Sequence, residues 1–110
     1  MEIEVEVVNK ETAILRLYGK LNMVCAGQLR EDIAELIAKG HFKIALDMTQ
    51  VDFMDSSGLG ALINGLKAAR EAGGDLRIAS PVEQVRLVLK LTNLDRVINV
   101  YSSAETAFNE

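Results

Sequence analysis

Tryptophan is absent, and proline, cysteine and histidine occur once each, at Pro81, Cys25 and His41, in a chain of 110 residues. A single cysteine rules out an intrachain disulfide and points to a reducing compartment. With one histidine there is no imidazole cluster for a transition metal, and Asp47, Asp52 and Asp55, although close in sequence, bring only oxygen donors. No metal site is expected. Two tyrosines and three phenylalanines make no stacking platform for bases, and a formal net charge of −4 with dispersed Lys and Arg opposes a phosphate backbone, so direct nucleic-acid binding is excluded. No apolar run approaches the roughly 20 residues that span a bilayer. The start, Met1-Glu2-Ile3-Glu4-Val5-Glu6, is acidic and alternating and lacks the basic n-region of a signal peptide. The expected location is the cytoplasm, without membrane insertion.

What the chain does contain is an ordinary globular balance, 49% hydrophobic and 25% charged, in a length that builds one core without staples. A single domain over residues 1–110 is expected, with no internal repeat or linker. Residues 3–8 alternate as a strand, with Ile3, Val5 and Val7 on one face and glutamates on the other. Residues 12–18 form a second strand with apolar side chains on both faces, and the two make a hairpin. Ala26, Leu29, Ile33, Leu36 and Ile37 give an amphipathic helix stopped by Gly40. A strand at 44–48 leads to a helix over about 57–72, whose Leu59, Leu62, Ile63 and Leu66 recur at helical spacing and which ends at Gly73-Gly74. A strand at 76–79 precedes Ser80-Pro81-Val82-Glu83, which has the spacing of a capping box for a third helix ended near Asn93. A last strand at 97–100 and a second capping-box spacing at Ser102 predict a short C-terminal helix.

The order β-β-α-β-α-β-α-β-α predicts an α/β fold: a mixed, mostly parallel sheet with an antiparallel edge strand, flanked by helices. Functional groups in such sheets gather beyond the carboxyl ends of the strands. That rule selects Val51-Asp52-Phe53-Met54-Asp55-Ser56-Ser57-Gly58-Leu59-Gly60, where a strand crosses to a helix.

Enzymatic readings of this stretch fail on spacing. The third glycine of a G-x-G-x-x-G fingerprint would fall at Ile63, and no G-x-x-x-x-G-K-[ST] loop is present, so no nucleotide cofactor is expected. A G-x-S-x-G elbow is missing, because Met54 and Asp55 stand two residues before Ser56 and Ser57, and His41 belongs at the opposite end of its strand. Asp47 and Asp52 read as solvated or capping carboxylates, and Lys67, Arg70 and Glu71 as the wet side of a helix. Gly58 and Gly60 serve the turn and close helix–sheet packing. One of Asp55, Ser56 and Ser57 suffices as an N-cap. The surplus, followed by Gly60, Ala61, Asn64 and Ala68 on the outer side of the helix, equally fits a small-residue docking surface with a modifiable group at its edge.

Residues 51–60 closely resemble the signature loop of bacterial anti-sigma-factor antagonists, the single-domain STAS proteins. The likeness extends from the hairpin through Gly19-Lys20-Leu21 and Ala26 to Ser80-Pro81 and the stretch Leu91-Thr92 to Val97. It implies that Ser56 is phosphorylated by a GHKL-type serine kinase that is also the anti-sigma factor, and that a PP2C-type phosphatase reverses this. The unphosphorylated protein would bind the kinase and free the sigma factor. Asp55, Ser57, Gly58, Leu59, Gly60, Ala61, Asn64 and Asn22 would form the loop and partner surface. The chain departs from the family at Gly19-Lys20-Leu21-Asn22, where many relatives have Gly-Glu-Leu-Asp, so Asn22 replaces a carboxylate. The resemblance also admits a constitutive adaptor, in a lipid transporter or a signalling assembly, since some STAS domains are never phosphorylated. Neither role is enzymatic.

Overall fold

The computed structural model describes residues 1–108. β1 (Glu2–Val7) and β2 (Thr12–Leu21) form the antiparallel hairpin, and β3 (Lys43–Met54), β4 (Asp75–Ala79) and β5 (Val100–Tyr101) follow in parallel. The five strands lie in the sheet in chain order. Between the parallel strands run α1 (Ala26–Ala38), α2 (Ser56–Glu71) and α3 (Glu83–Leu91), the last followed by a 3-10 turn at Leu94–Arg96. Crossovers of one hand between neighbours in unbroken order leave every helix on the same side. All three helices accordingly bury their apolar faces in one cluster, with Leu29 and Ile33 of α1, Leu62 and Leu66 of α2, and Val85 and Leu89 of α3 against the sheet.

The reverse face is thinner. Ile14, Ala45 and Ala79 are covered by Ala104 and Ala107 of the C-terminal turns. Arg77 donates to the Ala107 carbonyl at 2.7 Å and stacks 4.3 Å from the Phe108 ring centroid, which ties those turns down. Arg16 binds Asp47, Glu6 and Glu105 at 2.9, 2.7 and 3.0 Å. Of the two readings of Asp47, solvated or capping, the structure keeps the second: its Oδ1 accepts the Thr49 amide at 3.1 Å and the Thr49 hydroxyl at 2.6 Å, and its other oxygen pairs with Arg16. Partial burial pushes its carboxyl up, but hydrogen bonds from the Thr49 hydroxyl and amide and from Arg16 outweigh this and hold it below its ordinary value.

Both early helices end where expected, with Gly40 and Gly73 in the left-handed region at φ +92° and +94°. Elsewhere the structure corrects the sequence reading. β3 runs six residues past Met48, to Met54, because its pairing with β2 contains two register shifts that break the alternation of buried residues. Ser80 is no helix cap: its φ is +52°, its amide donates to Tyr101 O at 2.9 Å in the sheet, and its hydroxyl bonds the Ser102 carbonyl. α3 begins three residues later, after Val82, with no side-chain cap. The last strand is confined to Val100–Tyr101, since Asn93 turns left-handed at φ +59° and the amides of Val97 and Ile98 both bond Leu94 O at 2.9 Å. The expected C-terminal helix is a set of turns over residues 104–108, in which Ser103, not Ser102, accepts the Thr106 amide at 3.3 Å. Its final residues, 109–110, lie outside the described chain.

Candidate functional site

β2 and β3 end side by side, with Leu21 paired to Met54, and the Asp55 amide donates to Leu21 O at 3.3 Å. Two turns leave this rim together. After β2, Asn22 Oδ1 accepts the Val24 amide at 3.0 Å while its carbonyl accepts from Cys25 and Ala26 at 3.1 and 2.9 Å, bending the chain into α1. After β3, Asp55 takes an extended conformation (φ −106°, ψ −171°) and one carboxylate oxygen accepts from the Ser57 and Gly58 amides at 2.9 and 3.0 Å. Asp55 is therefore the N-cap of α2, which satisfies two of the orphan amides of the first turn.

With the cap assigned, the two serines separate. Ser56, the first helical residue, is exposed, and Ser57 is half-buried. The first turn of α2 contains no acidic side chain, so its dipole is opposed only by the capping carboxylate. Gly58 is required by space: a Cβ there would lie 2.4 Å from Leu21 O, 2.8 Å from Leu21 Cγ and 2.9 Å from Met54 Cγ. At Gly60 the nearest atom to a Cβ would be Arg30 Nη2 at 3.6 Å, ordinary contact, so close packing does not explain that glycine.

Among the docking residues read from the sequence, Asn64 is exposed, Gly60 and Ala68 are half-buried, and Leu59 is half-buried against the core. Gly58 and Ala61 are buried, and Ala61 is fully so. Of the expected outer side of α2, Gly60, Asn64 and Ala68 keep their place and only Ala61 turns inward, because the inward stripe is Gly58, Ala61, Leu62, Gly65, Leu66 and Ala69, which includes glycines that carry no hydrophobic signal. Ile63, counted inward by periodicity, is exposed.

The rim also contains residues that sequence reasoning passed over. Met23 and Val24 are 77% and 84% exposed, beside Asn22. Two adjacent apolar residues in a turn, outside any core periodicity, were the available signal. Gln84, on the first turn of α3, bonds the Met54 main chain with both ends of its amide. On the outer face of the rim Lys20 lies 3.6 Å from Asp52 and 5.8 Å from the Phe53 ring centroid. His41 sits at the far end of β3, its Nδ1 2.8 Å from Lys10 O, so the structure does not bring it to the serines. Among the described residues no cluster of His, Cys, Asp or Glu is arranged to hold a metal ion, and no helix is long and apolar enough to cross a membrane.

A parallel sheet with all helices on one side, an antiparallel edge hairpin and a capped serine loop at the strand ends define a class, and the STAS domain family profile matches residues 2–107. The chain belongs to the STAS domain family. It is 41% identical over 76 residues to a Thermotoga maritima protein named "Putative anti-sigma factor antagonist", covering 69% of this chain and 67% of that one. Over 106 residues it is 27% identical to the anti-sigma-B factor antagonist of Bacillus subtilis, covering 96% of each. Among solved structures, the unphosphorylated form of the anti-sigma factor antagonist SpoIIAA superposes with a TM-score of 0.83 at 25% identity, over 96% of this chain and 92% of that one.

Proposed function

We propose that this protein is an anti-sigma factor antagonist working by partner switching, with Ser56 as the reversibly charged residue. The observation that carries the reading is the Asp55 cap, which satisfies the Ser57 and Gly58 amides and leaves the Ser56 side chain exposed at the first position of α2. A phosphate there adds about −1.5 to −2 charges at a helix start whose dipole favours them, so the fold survives the modification. A docked partner tolerates it less. Against an acidic group about 6 Å away the added charge costs roughly 1 to 5 kcal/mol between bulk-water and surface dielectric limits. About 1.4 kcal/mol is tenfold in affinity, so this range runs from a weakened to an abolished complex.

In this reading the unphosphorylated protein binds, in the cytoplasm, a GHKL-type serine kinase that is also the anti-sigma factor, and a PP2C-type phosphatase regenerates that form. The chain, one domain over residues 1–110, performs no reaction of its own and uses no cofactor. Asp55, Ser57, Leu59, Gly60 and Asn64 face the partner together with the Asn22 turn and its exposed Met23 and Val24. Gly58 and Ala61 contribute from beneath, by setting how closely α2 approaches the sheet. Asn22 spends its side chain on the turn and adds no negative charge to the rim, so the added charge at Ser56 stands out more.

Incubation with the kinase encoded beside its gene and ATP, followed by phosphosite mapping, is expected to label Ser56 alone. Label elsewhere, or none, overturns the assignment. Ser56→Asp should weaken kinase binding by tenfold or more while leaving the melting temperature nearly unchanged.

A second reading, a constitutive adaptor in a transporter or signalling assembly, is favoured by α3, where Leu87 and Leu91 are 53% and 73% exposed. Purification from the native host separates the two readings: a GHKL-type kinase accompanies the switch, a membrane ATPase or a large assembly the adaptor.

A further inference from the structure

β3 outruns its neighbour. Its pairing with β4 stops at Asp47 and Ala79, yet the strand continues to Met54 with only β2 alongside. Past that point the β4 side of β3 is an open edge, and the edge peptide just before the serine loop meets an amide from α3. Gln84 Oε1 accepts the Met54 amide at 2.9 Å, and Gln84 Nε2 donates to the Met54 carbonyl at 3.1 Å. A carboxamide presents an acceptor and a donor side by side, as a strand's peptide groups do, so Gln84 completes the ladder that β4 leaves unfinished. Met54 is buried, and its amide and carbonyl would otherwise lie unpaired beneath α3.

The clamped residue directly precedes Asp55. The orientation of the Asp55 carboxylate toward the Ser57 and Gly58 amides depends on where the Met54 peptide sits, and the Ser56 side chain follows from that cap. We infer that Gln84 is the positioning residue of the Ser56 loop: by clamping both polar groups of Met54 it holds Asp55 in capping geometry and presents Ser56 in one orientation. Its consequence for phosphorylation rests on the reading of Ser56 given above, whereas its consequence for the loop does not.

Two variants of the full chain test this, read by amide hydrogen exchange and by phosphorylation with the neighbouring kinase and ATP. Gln84→Met keeps the shape and removes both hydrogen bonds. Exchange at Met54, Ser57 and Gly58 is expected to accelerate about tenfold relative to Leu46, in the middle of the same strand. General destabilisation would instead accelerate all four alike, and that result overturns the inference, as does unchanged exchange. Gln84→Glu supplies a pH signature. Protonated, its carboxyl both accepts and donates and replaces the amide; ionised, it repels the Met54 carbonyl. Hydrogen bonding in the neutral form raises the folded-state pKa above the ordinary glutamate value of about 4.3, so the variant matches wild type below that ordinary value and loses loop protection as pH rises through the raised folded-state pKa. Gln84→Met, with no group to titrate, shows no such recovery, and a Gln84→Glu loop indifferent to pH overturns the clamp.

In the kinase assay the Gln84→Met rate constant kcat/KM should fall about tenfold, with Gln84→Glu recovering as pH is lowered relative to wild type at each pH. Wild-type phosphorylation with a loosened loop and an unchanged rate overturns the positioning role. Absence of wild-type phosphorylation overturns the Ser56 reading and leaves the clamp to be decided by exchange.

Discussion

Two helices begin at the carboxyl ends of adjacent strands, α2 after β3 and α3 after β4, and their first turns are held differently. α2 is capped from its own chain, by Asp55 on the Ser57 and Gly58 amides. α3 carries the more regular capping-box sequence, Ser80 to Glu83, yet begins after Val82 without a side-chain cap. Its polar residues are committed elsewhere: Ser80 to the Ser102 carbonyl across the sheet, and Gln84 to Met54. A capping box forms only where the cap residue leaves the strand with extended φ and ψ. Asp55 does so, whereas Ser80 is left-handed. One helix start is thus self-contained and displays a hydroxyl, while the other is anchored by contacts distant in sequence.

This contrast can be broken most severely at Gly58. Gly58→Ala drives a methyl into Leu21 O and two core side chains, and should cost about 3 kcal/mol, read as a lowered urea midpoint. Next in size, Asp55→Ala removes the cap and should cost about 1 to 2 kcal/mol, with faster exchange at the Ser57 and Gly58 amides. Gly60→Ala goes the other way, adding about 0.5 to 1 kcal/mol, since its Cβ finds room and alanine is the better helix former. Smallest, Glu83→Ala should change stability by no more than about 0.5 kcal/mol, because no box forms for it to close. A loss of 1 kcal/mol or more at Glu83 would erase the distinction between the two starts.

Much of this was legible in the residues. α1 and α2 announced themselves by apolar periodicity and by glycine at their ends, and the polar run at 55–57 marked the helix start that bears the proposed switch. Less legible was β3 beyond Met48, where Thr49, Gln50, Asp52 and Phe53 are exposed and only Val51 and Met54 buried, because bulges shift the register. The inward stripe of α2 is hidden from periodicity for a related reason. Gly65 faces Ile33 so closely that a Cβ would lie 2.7 Å from its Cδ1, and a glycine selected by interhelical distance looks to periodicity like a gap. Val97 and Ile98 resemble a strand by composition, but the left-handed Asn93 diverts them into a turn that buries Ile98 and exposes Val97.

Local chemistry alone therefore determined where the serine loop lies, that a carboxylate and two hydroxyls share it, and that the chain builds an alternating α/β sheet, since each follows from spacing along one segment. Tertiary structure decided which of the three polar residues caps, which hydroxyl is exposed, that Ala61 is buried, and that Gln84 reaches Met54. These depend on distances between segments up to 30 residues apart, set by how closely α2 and α3 approach the end of β3, and no local periodicity encodes them.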